Sequence, residues 1–201
     1  MLAVLALAGG TLPDSPLETG NVALFEMLHA APDAPAWLVA GAILAAEYAL
    51  PCGIALAVWA CWRRCDARPM FLALAAWLVA NRIEALIAAL APHARPFEVG
   101  FGPALLAHAA DNSMPSSHVA TALILCGALL AARRFGPAAT LAAIALLLAW
   151  SRIYVGIHWP LDMLGAMASA GVSLGIVLGL RHAWRGWRTA PARQGHRAHA
   201  S

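Results

Sequence analysis

The chain has 201 residues, of which 62% are hydrophobic and only 11% are charged, and its mean hydropathy is +0.72. A soluble domain of this size keeps far more charge on its surface, so the composition excludes an ordinary soluble protein and indicates an integral membrane protein. The net charge of +3 is too small to suggest a nucleic-acid partner. The four cysteines have no metal-binding spacing and imply no disulfide.

The N-terminal segment, residues 1–20, is predicted to be a tail. Its first ten residues are apolar but too few to cross a bilayer, which takes about 20 helical residues, and they lack the positive start of a signal peptide. They are interpreted as a loose tail or a mis-set start. Residues 21–31 then place apolar side chains at helical spacing with Glu26 and His29 among them, which predicts a short helix lying at the membrane interface.

Five apolar segments follow, and they predict an all-α, polytopic membrane helix bundle. The predicted spans cover residues 37–62, 70–91, 117–132, 138–154 and 160–180. The third and fourth are short for membrane spans, so their ends are the least defined. Residues 21–186 are predicted to form one membrane domain, and residues 187–201 a disordered tail.

Basic residues in the loops predict the orientation of this bundle. They fall between spans one and two, between spans three and four, and after span five: Arg63, Arg64, Arg68, Arg133, Arg134, Arg181, Arg185, Arg188, Arg193 and Arg197. The positive-inside rule assigns these segments, and with them the C-terminus, to the cytoplasm. The loop over residues 92–116 and the turn over residues 151–158 then share the outer face.

Polar side chains cluster at residues 151–162, in a chain that otherwise avoids charge: Ser151, Arg152, His158 and Asp162. If a helix starts near residue 159, Asp162 lies in its first turn and can reach back to the imidazole of His158. A carboxylate on one ring nitrogen selects the tautomer and makes the other nitrogen a better nucleophile. The alternative is a histidine that only caps a helix, but an ionisable pair in a membrane segment is functional by default.

A second polar cluster, Pro115-Ser116-Ser117-His118, stands at the start of the third span. A serine there caps the helix, and the free N–H groups of the first turn bind anions. A phosphate held at this helix end would meet His118 as a proton donor to the leaving oxygen. The alternative is that these residues are only a helix-start signal.

Two arginines, Arg95 and Arg152, supply the positive charge close to these clusters. Guanidinium groups match phosphate oxygens bidentately and stabilise the charge that develops in a transition state. For each arginine alone, the alternative is a side chain that reaches up to the lipid headgroups.

Taken together, the motifs resemble the three-part signature of the type-2 phosphatidic acid phosphatase superfamily: Arg95-Pro96, Pro115-Ser116-Ser117-His118 and Ser151-Arg152-x5-His158-x3-Asp162. The resemblance implies that His158 is a nucleophile that forms a phosphohistidine, that Asp162 orients it, and that His118 is the general acid. It also implies that the phosphate is cradled by Arg95, Ser116, Ser117 and Arg152. It implies no metal and no other cofactor.

Two positions depart from that signature. Ala88 stands where the family usually has a lysine, and Ser117 where it usually has glycine. Within the superfamily the stretch from Arg95 to Ser116 is similar to the bacitracin-resistance type of bacterial undecaprenyl pyrophosphate phosphatase, which also lacks the lysine. That similarity implies a multi-pass enzyme of the bacterial inner membrane. Its active site would face the periplasm, where it would remove the terminal phosphate from the isoprenoid lipid pyrophosphate and recycle the cell-wall lipid carrier.

Other polar residues have open roles. Glu47 and Arg82 lie about 13–16 Å from the outer ends of their predicted spans at a rise of ~1.5 Å per residue, and we expect them to form an ion pair, more as structural support than for substrate binding. Second-tier site candidates in or beside the outer loop are Glu98, His108, Asp111 and Ser151.

Other functions are compatible with the same phosphate site. The substrate could instead be phosphatidylglycerophosphate or phosphatidic acid, or the phosphate could be transferred to another lipid. A non-catalytic membrane protein that binds lipid through the same anion site is a rival from another class. The oligomeric state is not predicted.

Overall fold

The structure, a computed structural model, describes residues 15–189, which contain helices, turns and loops but no β-strand. This confirms the all-α prediction. A 3₁₀ turn (Pro96–Glu98) accompanies six α-helices: α1 (Pro16–Leu28), α2 (Ala36–Trp62), α3 (Arg68–Leu90), α4 (Ser117–Ala131), α5 (Phe135–Tyr154) and α6 (Pro160–Thr189). The predicted tail residues 1–14 and 190–201 lie outside the described residues.

Four of the described helices, α2, α3, α5 and α6, are long and apolar enough to cross a membrane. The remaining predicted span, the third, corresponds to α4, which has 15 residues and is therefore about 22 Å long, against about 30 Å of hydrocarbon in a bilayer. It packs against all four of the longer helices. Because α4 packs against four helices, protein rather than lipid surrounds most of its length, and a helix shorter than the hydrocarbon layer is tolerated there.

The largest differences from the predicted helix boundaries are at the start of α1 and at the end of α6. Helix α1 begins at Pro16 rather than at residue 21, because the Ser15 hydroxyl accepts the N–H of Glu18 at 3.1 Å and Pro16 occupies the first helical position. Residues 16–20 therefore belong to a helix and not to the predicted tail. Helix α6 continues to Thr189, beyond the predicted end of the span at residue 180, so residues 187–189 belong to this helix and not to the predicted disordered tail.

The turn between α5 and α6 is built on glycine. Gly156 has a φ of +81°, and its N–H donates to the carbonyl of Ile153 at 3.0 Å, while the Ile157 N–H donates to the carbonyl of Arg152 at 3.2 Å. These two bonds form the Schellman motif that ends many helices. Asp162 then accepts the N–H of Trp159 at 2.8 Å and closes the first turn of α6.

The predicted ion pair between Glu47 and Arg82 is wrong. Within the described residues no ion pair joins them, and both side chains are exposed. The reason is the packing order: α2 packs chiefly on α5, and α3 packs chiefly on α6 and α4, so α2 and α3 contact each other little.

Helix α1 packs on the end of the bundle at which α6 begins. The Trp159 ring is fully buried, with Phe25 of α1 at 4.9 Å and Phe101 of the outer loop at 5.1 Å between ring centroids. The Trp159 indole N–H donates to the carbonyl of Ala94 at 2.8 Å. Helix α1, the outer loop and the start of α6 are thus held around one side chain, directly beside His158.

Candidate active site

His158 and Asp162 form a buried pair at the start of α6. The Nδ1 of His158 lies 3.0 Å from Oδ2 of Asp162, and the two side chains are 3% and 0% exposed. A carboxylate only accepts hydrogen bonds, so Nδ1 carries the proton. The Nε2 atom of His158 therefore holds the free lone pair.

Two arginines approach that lone pair. Nη1 of Arg95 lies 3.3 Å and Nη2 of Arg152 lies 3.5 Å from Nε2 of His158. Burial lowers the pKa of His158 to about 4, against the opposing effect of Asp162 and together with the charges of Arg152 and Arg95. The imidazole is therefore neutral near pH 7, as a nucleophile must be, and it faces two cations that match phosphate oxygens.

Arg95 is held from several sides and is 4% exposed. Its Nε and Nη2 donate to Oδ1 of Asp111 at 2.9 and 2.6 Å, and its Nη1 donates to the carbonyl of Ile157 at 2.7 Å. Its backbone N–H donates to the carboxylate of Glu98 at 2.9 Å. Asp111 and Glu98 therefore orient Arg95, which is a positioning role for two of the second-tier candidates.

Arg152, at the end of α5, is 2% exposed. Its Nη2 lies 3.1 Å from Nε2 of His108, and its Nη1 lies 3.4 Å from the carbonyl of Ala46 on α2. The Nδ1 of His108 lies 3.2 Å from the carbonyl of Ala109. Because guanidinium only donates and a carbonyl only accepts, His108 carries its proton on Nδ1 and accepts at Nε2. Burial and the charges of Arg95 and Arg152 also lower the pKa of His108, so it is neutral.

The start of α4 lies across the same space. Ser116 precedes the first residue of the helix, and Ser117 and His118 belong to its first turn. Ser117 is exposed and His118 half-buried, and both line the cavity described below, whereas Ser116 is fully buried and does not. Two buried polar atoms here have no hydrogen-bond partner among the described residues: Oγ of Ser116 and Nε of Arg152.

A cavity of about 490 Å³ joins these groups. It is lined by both predicted catalytic histidines, both arginines, Ser117, and residues of α3 and the outer loop: Glu84, Ala85, Ala88, His108, Asp111, Asn112, Met114 and Pro115. Ala88, where the family lysine would stand, thus faces the site, and Glu84 lies one turn before it. A larger cavity, of about 700 Å³ between α1 and residues 100–105, has Glu26 and His29 as its titratable groups.

Two further polar residues, Ser113 and His93, contact Asp162 on the side away from the cavity, and the sequence predicted no role for either. The Ser113 hydroxyl donates to Oδ2 of Asp162, and Nδ1 of His93 lies 3.3 Å from Oδ1. On its other side, Nε2 of His93 lies 3.5 Å from Oε2 of Glu18 in α1. His93 stands two residues before Arg95, which was its only signal in the sequence.

Three further candidates lie away from the cavity. The Ser151 hydroxyl donates to the Leu148 carbonyl of its own helix at 3.0 Å. Glu47 and Arg82 are absent from the cavity lining. Across residues 15–189, no three His, Cys, Asp or Glu side chains are grouped to hold a metal ion.

Comparison with known proteins gives consistent matches. The family model described as the PAP2 superfamily matches residues 36–187. The putative undecaprenyl-diphosphatase YbjG of Escherichia coli (strain K12) is 36% identical over 154 residues, which are 75% of this chain and 77% of that protein. Undecaprenyl-diphosphatase BcrC of Bacillus subtilis (strain 168) is 31% identical over 153 residues, 75% of this chain and 78% of that protein.

Two solved structures share the fold. LpxE of Aquifex aeolicus superposes with a TM-score of 0.64 at 22% identity, over 84% of this chain and 99% of that one. A transmembrane PAP2 type phosphatidylglycerolphosphate phosphatase from Bacillus subtilis superposes with a TM-score of 0.62 at 20% identity, over 90% of this chain and 94% of that one. At such identities these likenesses concern the fold alone.

Proposed function

The chain belongs to the PAP2 superfamily, and from this premise we propose that it hydrolyses undecaprenyl pyrophosphate to undecaprenyl phosphate through a phosphohistidine. The family match and the membrane helices support an integral membrane phosphatase of that superfamily. The observation that carries the proposal is the Nε2 atom of His158, which is unprotonated and whose lone pair faces two buried arginines at 3.3 and 3.5 Å.

In the first step, Nε2 of His158 attacks the terminal phosphorus. The bond between that phosphorus and the bridging oxygen breaks, and His118 gives its proton to the departing lipid phosphate. Asp162 stays hydrogen-bonded to Nδ1–H and stabilises the positive charge that the ring gains. Arg95 and Arg152 stabilise the oxygens of the transferred group, since phosphoryl transfer depends chiefly on positioning and charge.

In the second step, His118 acts as the base. It takes a proton from a water molecule, whose oxygen attacks the phosphohistidine and releases inorganic phosphate and free His158. Ser117 and the N–H groups at the start of α4 hold the phosphate through both steps. Nε of Arg152, a cavity-lining residue, is buried without a partner and supports an anion site at this place.

The substrate is proposed from the relatives. Both sequence relatives carry the name undecaprenyl-diphosphatase, and each aligns over 75% of this chain. Other lipid phosphates are the alternative, because the superposed structures of LpxE and the phosphatidylglycerolphosphate phosphatase have the same fold. We further propose that the protein lies in a bacterial inner membrane with the cavity open to the periplasm, as the loop arginines favour.

The test is phosphate release by the purified protein in detergent with excess chelator. Undecaprenyl pyrophosphate, phosphatidic acid and phosphatidylglycerophosphate are compared, with His158→Ala as the control. We expect rapid release from the pyrophosphate that the chelator does not affect and the substitution abolishes. Release from the glycerolipids alone would keep the mechanism and overturn the substrate, and no release from any of them would overturn the proposed activity.

A further inference from the structure

A second imidazole lies behind the His158–Asp162 pair, and it joins two buried carboxylates. His93, Asp162 and Glu18 are 8%, 0% and 5% exposed. The Nδ1 atom of His93 faces Oδ1 of Asp162 at 3.3 Å, and its Nε2 faces Oε2 of Glu18 at 3.5 Å. The second contact is an ion-pair distance without hydrogen-bond alignment.

Both carboxylate oxygens of Asp162 have polar partners. One oxygen receives the ring N–H of His158, the backbone N–H of Trp159 and the hydroxyl of Ser113, and the other faces His93. A buried carboxylate with such partners stays ionised and keeps one orientation. Since its orientation sets the tautomer of His158, whatever holds Asp162 also acts on the nucleophile.

Glu18 reaches this site because α1 is fastened to α6. Its Oε1 accepts the side-chain amide of Asn21 at 2.8 Å, and Oδ1 of Asn21 accepts the backbone N–H of Leu161 at 2.9 Å. Leu161 is the neighbour of Asp162 in the first turn of α6. Helix α1 is therefore linked indirectly to the catalytic pair in two ways, through the backbone N–H of Leu161 and through His93.

We propose that His93 and Glu18 are positioning residues for the reaction, in which a protonated His93 links the carboxylate of Glu18 to that of Asp162 and so holds the His158–Asp162 pair. This inference rests on the proposed function, because it assigns His158 as the nucleophile. It gives α1 a role in catalysis rather than only in membrane attachment.

The charges around His93 support a protonated ring. Burial opposes its charge, but the hydrogen bond and charge of Asp162 and the charge of Glu18 outweigh it, and the pKa of His93 is raised above its ordinary value. The groups facing it are Asp162 from α6 and Glu18 from α1, with the uncharged ring of Trp159 at 6.1 Å between centroids and the Asn112 amide oxygen on its backbone N–H. The link is present below the ordinary pKa and is lost as the pH rises through the raised one.

Glu18→Gln and His93→Asn test this link. In Glu18→Gln the amide oxygen still accepts from Asn21, and the new N–H donates to a neutral His93, so the contact no longer depends on a proton. In His93→Asn a donor toward Asp162 remains, but the titrating group is gone. Glu26→Gln, an exposed position on the same helix, is the matched control.

The kinetic measurement is the pH–rate profile of the four proteins on the lipid phosphate that the wild type hydrolyses. We expect the pH–rate profiles of wild type and Glu26→Gln to have an alkaline limb, over which activity falls as His93 deprotonates. The profile of Glu18→Gln should lack this limb, because its contact with His93 needs no proton. His93→Asn should lose the limb and lower kcat by about 10- to 100-fold with KM changed by less than about threefold, as support residues behind a reacting group do. Any alkaline limb that belongs to the general acid His118 is common to all four proteins. The proposal is therefore overturned if the profiles of Glu18→Gln and His93→Asn have the same shape as that of the wild type.

A second measurement does not depend on activity. Nitrogen-15 NMR of histidine-labelled full-length protein in detergent, assigned with His93→Asn, reports the protonation of each ring. We expect a His93 imidazolium near pH 7 that Glu18→Gln converts to a neutral ring. A neutral His93 in the wild type would overturn the proposal. If the wild type hydrolyses no lipid phosphate, the proposed function fails, while this spectrum still decides whether the link exists.

Discussion

At the scale of single residues, burial and hydrogen bonds decide which histidine does what. His158 is neutral because it is buried, and its tautomer is set because Asp162 can only accept. His108 has both nitrogens engaged, one toward a backbone carbonyl and the other toward Arg152. His118 lines the cavity, and within the described residues neither of its ring nitrogens has a hydrogen-bond partner. The three histidines near the proposed phosphate site therefore differ in their hydrogen-bond partners and are suited to different roles.

This difference predicts distinct results for His118→Ala and His108→Ala. Removing a general acid lowers the rate by about 10²–10⁴-fold, so His118→Ala should do so with little change in KM. His108→Ala removes a partner of Arg152 and should chiefly raise KM, by about 10-fold, the scale of one lost charged hydrogen bond. Steady-state phosphate release measures both.

A substrate with a good leaving group separates the two roles further. An aryl phosphate such as p-nitrophenyl phosphate needs no proton on departure, so it should recover most of the first-step rate in His118→Ala. It should recover none of the loss in His108→Ala, since Arg152 is misplaced whatever leaves. Recovery in the second variant instead would assign the general acid to His108.

At the scale of elements, the site is made where helices begin and end. Arg152 lies in the last turn of α5, Asp162 in the first turn of α6, and His118 in the first turn of α4. Between the first two, the left-handed Gly156 reverses the chain within a few residues and delivers His158 next to both. Helix ends carry unpaired N–H groups and partial charge, which favour anion binding there.

Gly156→Ala should therefore harm both stability and activity. A Cβ at this position would lie 2.9 Å from Nε2 of His29, and the φ of +81° is unfavourable for alanine. We expect a loss of about 1–2 kcal/mol in unfolding free energy, with a larger loss of kcat than of substrate affinity because His158 moves. Thermal unfolding in detergent and phosphate release measure the two effects.

Gly171→Ala in α6 is the matched control. It lies in the interior of that helix, and an added Cβ meets no atom within 4 Å. Alanine in a helix interior is favoured over glycine by about 0.5–1 kcal/mol, so this protein should be as stable as the wild type or slightly more stable, with unchanged activity. Equal effects of the two substitutions would show that the turn at Gly156 has no special role.

At the scale of the whole molecule, the short central helix organises the bundle. Helix α4 contacts the four longer helices, and the first turn of α4 lines the cavity. At the opposite end, Arg134 is buried: its guanidinium donates to the carbonyl of Ala60 at 2.9 Å and to the carboxylate of Asp66 at 2.9 Å. An arginine that the loop-charge rule counts only for orientation thus also ties the α2–α3 loop to the start of α5.

The orientation of the molecule is testable through its own cysteines. Cys65 is exposed in the loop between α2 and α3, at the end opposite the cavity, while Cys61 and Cys126 are buried. Cys52 is also exposed, but it lies in the middle of the apolar helix α2, so Cys52→Ser is the background for the experiment. If that end is cytoplasmic, a membrane-impermeant maleimide should label Cys65 only after the cells are permeabilised. Asp33→Cys, in the exposed loop between α1 and α2, combined with Cys65→Ser, should be labelled in intact spheroplasts. The reverse pattern would invert the topology.

Much of the fold could be predicted because each membrane helix depends chiefly on the sequence of its own segment. An apolar run of the right length satisfies its own backbone hydrogen bonds, so the spans follow from the chain alone. The same holds for the three motifs, whose residue types and spacing already indicated phosphate chemistry. Boundaries such as Pro16 depend on one capping hydroxyl and were predicted less well.

Contacts between segments far apart in the chain could not be predicted in this way. Glu47 and Arg82 were expected to pair because their depths match, but depth does not specify which helices are neighbours. His93 had no periodic or motif signal, and only the packing of α1 on α6 places Glu18 behind it. The sequence by itself determined the membrane helices and the chemistry-bearing motifs, since both depend on local pattern. The tertiary structure decided how Asp162 is held and which residues support it, because those contacts come from helix packing.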